Sequence, residues 1–487
     1  MTPHRLAPLA LLLLAGCSMA PAYHRPAIDL TSGFKEAPGW APAAPADDAA
    51  KGQWWRLFQD PVLDGLEAKV AVTNQNVLAA AAAYRQARAT VSEARAALFP
   101  TVDLSGGATR AGSFGASQPT IIGGTGSTGT TAGGGGSGTV SGSSGSRRFS
   151  VSVGASWEPD LWGRIAGGVR ENQALAQASA ADLANATLSA QGELALDYVQ
   201  LRGLDQQKAI LDATIAAYDR ALTITTNRYN QGVVARVDVL QAQTQLASAR
   251  ASAADLMRQR AAFEHAIAVL VGENPSSFAL PTAAWNPVTP AVPGILPSTL
   301  LQRRPDVAAA ERRVAAANQQ IGVQRAAFFP TINLTGDVGA NSSHLGELFA
   351  ASSSIWSLGA QLAETLLDFG ARSARVREAR AAYDQAVATY RQTALAAIQQ
   401  VEDELAASRI LGFVADQRDA AAAAANRVEQ LTQNEYLAGE LGYSDVITAQ
   451  TTALSARQTQ AQAVVDRQVA AISLIQAIGG SWPQPAP

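Results

Sequence analysis

The 487-residue chain has one cysteine, Cys17, three methionines and four histidines. A single thiol excludes a disulfide within the chain and any paired-cysteine metal site. His4, His24, His265 and His344 are scattered, without the short spacing of metal ligands. No run of about 18 apolar residues occurs, so no transmembrane helix is expected and any crossing has to be made by strands. Aromatics make up 6 % of the chain although hydrophobic residues make up 47 %, because alanine supplies much of the latter. That composition favours helices at close range over a thick core. Charge is nearly balanced, with 37 basic and 40 acidic residues for a net of −3, and no basic block would attract nucleic acid. Glycine tracts such as Gly133 to Gly136 lack the Lys-Ser/Thr of a phosphate loop. The expectation is a protein that is not an enzyme, holds no metal and no cofactor, and takes its energy from a partner.

What the chain does contain is one unit written twice. Tyr229-Asn230-Gln231-Gly232, followed by Asp238-Val239-Leu240, returns as Tyr436-Leu437-Ala438-Gly439 and Asp445-Val446-Ile447. Both matches have a shift of 207 positions (436 − 229 and 445 − 238), which also carries Trp162-Gly163 onto Phe369-Gly370 and Val271-Gly272 onto Ile478-Gly479. A match at Phe99-Pro100-Thr101 and Phe329-Pro330-Thr331 has a shift of 230, so the first copy holds 23 extra residues (230 − 207) between its landmarks. They fall in a Gly/Ser/Thr-rich segment from about 105 to 146. Two tandem copies of a long structural unit are implied.

The N-terminus sets the compartment. His4 and Arg5 precede a mainly apolar stretch from Leu6 to Leu14, too short to span a membrane, and then Ala15-Gly16-Cys17 follows. Small residues before the sole thiol resemble a bacterial lipobox, which predicts a signal peptide over 1–16, lipidation of Cys17 and a lipid-anchored arm over 17–60. Ser18, rather than Asp, after the thiol points to the outer membrane.

Asp60-Pro61 reads as a cap followed by the first helical residue, and helical pattern then runs to Leu98 with a break at Asn74. Period-two alternation follows at Val102, Leu104 and Ala108, and again at Phe149, Val151, Val153, Ala155 and Trp157. The second copy repeats it at Ile332, Leu334 and Val338, then at Trp356, Leu358, Ala360 and Leu362. Four strands of about ten residues suit a tilted transmembrane strand. Residues 163–229 and 370–436 lack proline entirely, long enough for helices of about 100 Å. Leu194, Leu201, Leu204, Leu211, Ile215, Tyr218, Leu222 and Tyr229 form a coiled-coil seam interrupted by Asp197, Lys208 and Thr225. The expected organisation is repeat 1 over 61–272, a linker over 273–297, repeat 2 over 298–479 and a tail over 480–487. Each repeat holds a helix, two strands and a long helical hairpin.

Four strands in an open sheet would leave two unpaired edges in lipid, where each unsatisfied backbone group costs several kcal/mol. Closure requires about eight strands or more, so chains must pool them. Two chains give eight strands and three give twelve, and the strand count alone favours neither; eight would be filled by side chains, so a conduit needs at least three.

Trp54-Trp55-Arg56-Leu57-Phe58, Leu300-Leu301-Gln302-Arg303-Arg304-Pro305-Asp306-Val307, Ala326-Ala327-Phe328-Phe329-Pro330 and Leu367-Asp368-Phe369-Gly370 occur in order across the chain. Together with the glycine-containing hairpin turns, they resemble the outer-membrane efflux lipoproteins of the OprM/NodT group, relatives of TolC. The resemblance implies a mainly α protein with a transmembrane β-barrel: a homotrimer whose twelve strands form one barrel, continued by a helical periplasmic tunnel. It further implies a periplasmic adaptor and an inner-membrane pump, often of the resistance-nodulation-division (RND) class, as partners. The alternative is a structural periplasmic coiled-coil lipoprotein without channel activity.

By the same resemblance Asp445 matches a ring of carboxylates at the closed periplasmic tip, and Tyr436 a tyrosine that tethers the inner hairpin. Asp238 is the equivalent carboxylate of the first copy. The plainer reading makes Asp238 and Asp445 N-caps of the returning helices. Where the family has a second Asp, this chain has Thr448, so a double ring is absent. Gly232 and Gly439 are expected at positive φ in the tip turns. Val233, Val234, Glu440 and Leu441 complete those turns as candidate adaptor contacts. Arg303-Arg304-Pro305-Asp306 reads as a helix start without transport chemistry, and Trp162 and Phe369 as markers of strand-to-helix corners.

Overall fold

A computed structural model describes residues 19–28, 34–36, 53–111, 146–290 and 304–480. The signal segment, Cys17, Arg303, the core of the Gly/Ser-rich segment and the C-terminal tail lie outside the described residues. Helices α1 (Pro61–Thr73) and α2 (Gln75–Ala96) lead into strands β1 (Thr101–Ala111) and β2 (Ser146–Trp157). The hairpin α3 (Arg164–Asn230) and α4 (Arg236–Leu270) completes the first copy. The second is α5 (Pro305–Ala326), β3 (Thr331–Ser342), β4 (Ser354–Ala363), α6 (Ala371–Ala438) and α7 (Tyr443–Ala477). The expected break at Asn74 is present, and Asp60 caps α1 by accepting the Val62 and Leu63 amides, with Pro61 as its first residue. No helix is long and apolar enough to cross a membrane among the described residues.

The chain divides into two compact units that cut across the repeats: 1–21, 92–169 and 320–378 form one, and 22–91, 170–319 and 379–487 the other. The first unit is built on an antiparallel sheet in the order β1-β2-β3-β4, so the two copies meet where β2 pairs with β3. Register puts every apolar position predicted from the alternation on one face: Val102 and Leu104 opposite Ala155 and Val153, and Val338 between Val153 and Trp356. On that face Val102, Leu104, Val338, Trp356, Leu358 and Leu362 are exposed. Asp103, Ser105, Ser152, Ser156, Asn333, Asp337 and Gln361 occupy the other face. β1 continues through Gly106 and Gly107 to Ala111, beyond the point where low-complexity sequence begins, because β2 offers a partner to each residue of it.

Both ends of each strand pair return to helices at the same end of the sheet. There Trp162 stacks on Phe329 at 4.8 Å with 23° between planes, and its Nε1 donates to the Pro330 carbonyl at 2.7 Å. Its counterpart Phe369 is 93 % exposed in a left-handed conformation (φ 49°).

The second unit is helical. Of the predicted seam, Leu194, Leu201, Leu204, Leu211 and Tyr218 are buried, Ile215 and Leu222 pack beside them, and Tyr229 is exposed. Of the polar interruptions Thr225 is buried, Lys208 pairs with Asp212 at 2.5 Å, and burial beside Glu193 pushes the Asp197 carboxyl up to about 6. Gly192 and Gly203 lie on α3 where a Cβ would collide with Gln476 and Val465 of α7. Missing Cβ atoms there let α3 and α7 run antiparallel at short range.

The starts of α2 and α5 are held alike. Asn74 Nδ2 donates to the Leu270 carbonyl at 2.8 Å, and Arg304 Nη1 to the Ala477 carbonyl at 2.8 Å. Arg304 also grips Asp306 at 2.7 Å, so the motif read as a helix start is also an anchor. A buried network joins Asp60, Tyr198, Arg202, Asp205, Arg260 and Glu264, and through the Leu280 and Pro281 carbonyls it fastens the connection between repeats to the first hairpin.

Candidate functional site: the hairpin tips

The turn of each hairpin ends its long helix in the same way. At Gly232 (φ +74°) the amide donates to Tyr229 O at 2.8 Å, and the Val233 amide to Arg228 O at 2.9 Å. At Gly439 (φ +82°) the partners are Tyr436 O at 3.0 Å and, for the Glu440 amide, Glu435 O at 2.9 Å. This paired arrangement needs a left-handed residue after the helix, which glycine supplies without steric cost. Val233, Glu440 and Leu441 are exposed at the turns and Val234 is half-buried.

Neither aspartate is an N-cap. Ala235 precedes α4 and Gly442 precedes α7, which places Asp238 and Asp445 third in their helices. The capping expectation is therefore corrected: each helix starts two residues before its carboxylate, because the amides of Asp238 and Asp445 already bond back to Ala235 and Gly442. Asp445 nevertheless reaches back, its Oδ2 accepting the Gly442 amide at 3.3 Å. A carboxylate in the first turn also favours the positive end of the helix dipole. Asp445 has no ion-pair partner within the described chain. It lies in a groove of about 400 Å³ between α6 and α7 with Val428, Thr432, Leu441, Thr448 and Thr452.

Tyr436 is buried, its ring 5.5 Å from Tyr443 and tilted by 54°, in a cluster with Ala242 and Val446. From the first hairpin, Arg228 lays its guanidinium 4.8 Å from the Tyr436 ring centre and donates to the Tyr436 carbonyl at 3.3 Å. The buried Tyr436 hydroxyl has no hydrogen-bond partner among the described residues. Burial, then the neighbouring Tyr436 and Tyr218, push the Tyr443 hydroxyl up to about 12, so it is neutral at physiological pH.

Structure thus joins Tyr436 to Arg228 and Tyr443, two residues that sequence reasoning passed over. A signal was available. The shift of 207 pairs Tyr436 and Tyr443 with Tyr229 and Arg236, so the second tip carries an aromatic pair where the first has an aromatic and a cation. Asp238 and Asp445 share no bond, and the Asp238 carboxylate acts electrostatically on Tyr443 of the second hairpin. No group of three or more metal-ligating side chains occurs among the described residues.

The family model for outer membrane efflux protein matches residues 68–273 and 296–480, and the chain belongs to that family. It is 28 % identical over 473 residues to the toluene efflux pump outer membrane protein TtgC of Pseudomonas putida, covering 96 % of this chain and 94 % of the relative. The pyoverdine export outer membrane protein OpmQ of Pseudomonas aeruginosa is 28 % identical, with 97 % and 96 % covered. The solved outer-membrane channel OprN superposes with a TM-score of 0.83 at 27 % identity, over 96 % of this chain and 100 % of that one. The protein is an outer-membrane efflux channel component, and the scaffold alternative falls away.

Proposed function

We propose that three copies of this chain, each anchored by lipid on Cys17, pool their strands in one twelve-stranded barrel and act as the passive exit duct of a tripartite exporter. The supporting observation is the sheet itself: one apolar face, one polar face, and two edges, β1 and β4, without partners among the described residues. Closure through neighbouring copies satisfies those edges and turns the polar face inward. Substrate arrives from an inner-membrane pump of the RND class through a periplasmic adaptor. The adaptor meets the tip turns at Val233, Val234, Glu440 and Leu441 beside Gly232 and Gly439. The tip is closed by Tyr436 and by Asp445, three copies of which would surround the threefold axis, with Asp238 on the outer hairpins. Relatives are named for toluene and pyoverdine export and, at the same 28 % identity, for cation efflux, so organic solutes are the first reading of the cargo and metal cations the second, with the pump doing the choosing.

Purified mature protein should migrate as a heat-modifiable trimer on a gel and conduct ions in planar bilayers. A monomer without conductance overturns the reading. Cysteines introduced at Val233 or Glu440 should cross-link to the adaptor, and a product found only away from the tips would refute tip docking.

A further inference from the structure

At the end of the sheet remote from the helices, Arg110 of β1 stands directly opposite Arg147 of β2. By alternation both project from the apolar face: the rows inward of them are Ala108–Phe149, Gly106–Val151, Leu104–Val153 and Val102–Ala155. Phe149 and, eight residues on, Trp157 mark the two ends of that band on β2. Eight residues span about 27 Å along a strand, or about 20 Å after a tilt near 40°, close to the apolar belt of a membrane barrel with its aromatic girdles. The arginine row is two residues beyond Phe149, about 7 Å further along the strand or about 5 Å further out after the same tilt, where hydrocarbon gives way to headgroups.

Like charges directly opposed across a ladder destabilise it unless a counter-anion lies between them. Both side chains are exposed, and among the described residues neither has a hydrogen-bonding or ion-pairing partner. Two guanidinium forks on neighbouring strands, about 5 Å apart at their Cα atoms, match the oxygens of one phosphate. Arg148 projects from the polar face and does not join them.

We infer that Arg110 and Arg147 form a binding site for the phosphate of an anionic lipid in the outer leaflet, a phosphorylated glycolipid such as lipid A. The inference rests on the reading of the sheet as a transbilayer wall. The experiment compares full-length protein with the double variant Arg110→Gln/Arg147→Gln, each in nanodiscs, by native mass spectrometry with bisphosphorylated lipid A as probe. Wild type should retain the lipid about ten-fold better than the double variant, and dephosphorylated lipid A should bind both equally. The Arg148→Gln variant should match wild type, and Arg110→Lys/Arg147→Lys should fall between the two. Equal retention of bisphosphorylated lipid A by wild type and the double variant overturns the inference. So does displacement of the lipid by millimolar inorganic phosphate, which would make this a free-phosphate site. Heat-modifiable migration and conductance of each variant are measured alongside. Their loss in wild type would defeat the barrel reading, whereas their retention with unaltered lipid binding defeats the lipid site alone.

Discussion

Arg228 and Tyr436 come from different copies of the repeat, and the guanidinium of the first lies 4.8 Å from the ring centre of the second. A partly desolvated cation–π contact is worth about 1–2 kcal/mol, and here it acts together with the Arg228 hydrogen bond to the Tyr436 carbonyl in tying the second tip to the first hairpin. Arg228→Ala and Tyr436→Ala should each raise closed-state conductance in planar bilayers. Tyr436→Phe should not, since the buried hydroxyl it removes has no partner among the described residues. An open channel in Tyr436→Phe would show that the hydroxyl bonds to another copy.

For Asp445 the charge and the bond to the Gly442 amide can be separated. Asp445→Asn keeps an acceptor and removes the charge. If carboxylates at a threefold tip repel one another and attract cations, both Asp445→Asn and Asp445→Ala should raise closed-state conductance and weaken divalent-cation block. An effect from Asp445→Ala alone would assign the residue to helix capping.

The anchors Asn74 and Arg304 predict paired losses of stability. Arg304→Ala strands the Ala477 carbonyl and the Asp306 carboxylate, and should cost about 3 kcal/mol; Asn74→Ala, which frees Leu270 O and two amide donors, about 2 kcal/mol. Thermal unfolding followed by circular dichroism measures both. Unchanged melting would mean that the helix starts are held by apolar packing alone.

Glu67 is fully buried in α1, and among the described residues neither of its carboxylate oxygens has a hydrogen-bond partner. Burial, reinforced by Asp64, pushes its carboxyl up to about 9. Its folded value thus exceeds the unfolded one of about 4.5, and folding takes up a proton across that interval. Stability from this group is fully present below about pH 4.5 and declines as pH rises toward about 9, a loss on the order of 4 kcal/mol by pH 7.5. Glu67→Gln should flatten the dependence, and Glu67→Met should raise the melting temperature at pH 8. Parallel melting-versus-pH curves for wild type and Glu67→Gln would contradict a neutral buried carboxyl.

Among the left-handed glycines, surroundings should decide the cost of a side chain. Gly232 (φ +74°) has open space where a Cβ would go, so Gly232→Ala should cost only the backbone strain, about 1 kcal/mol. At Gly272 (φ +70°) the Cβ would collide with the Thr73 backbone carbonyl, so Gly272→Ala must also push α1 and α4 apart. Melting should fall several degrees further for Gly272→Ala than for Gly232→Ala, and equal losses would mean that this junction yields freely.

Periodicity carried most of the fold. The strands could be read because Val102, Leu104, Val153, Val338 and Trp356 must share one face, and a two-residue period leaves no other arrangement. Long helices followed from the absence of proline, and the tip turns from Gly232 and Gly439 in register. Contacts between distant segments were harder to read. That Arg228 would meet Tyr436 depends on how two hairpins pack, and no local pattern encodes it. The start of a helix was misplaced by three residues at Asp238 and Asp445 (238 − 235 and 445 − 442), because alanine and glycine in extended conformation stand in the cap position without side-chain bonds. Glu67 escaped notice because a carboxylate in an amphipathic helix reads as solvent-facing until its neighbours are known.

The Gln476 side chain fills the notch left by Gly192, and eleven residues along each helix Val465 fills that left by Gly203. Eleven residues are three helical turns, so both teeth sit on one line and engage together. To slide one helix past the other, both would have to lift out at once. Opening at the distant tip is therefore better served by bending or swinging α6 than by any gliding along α3 and α7, which behave in this stretch as a keyed joint.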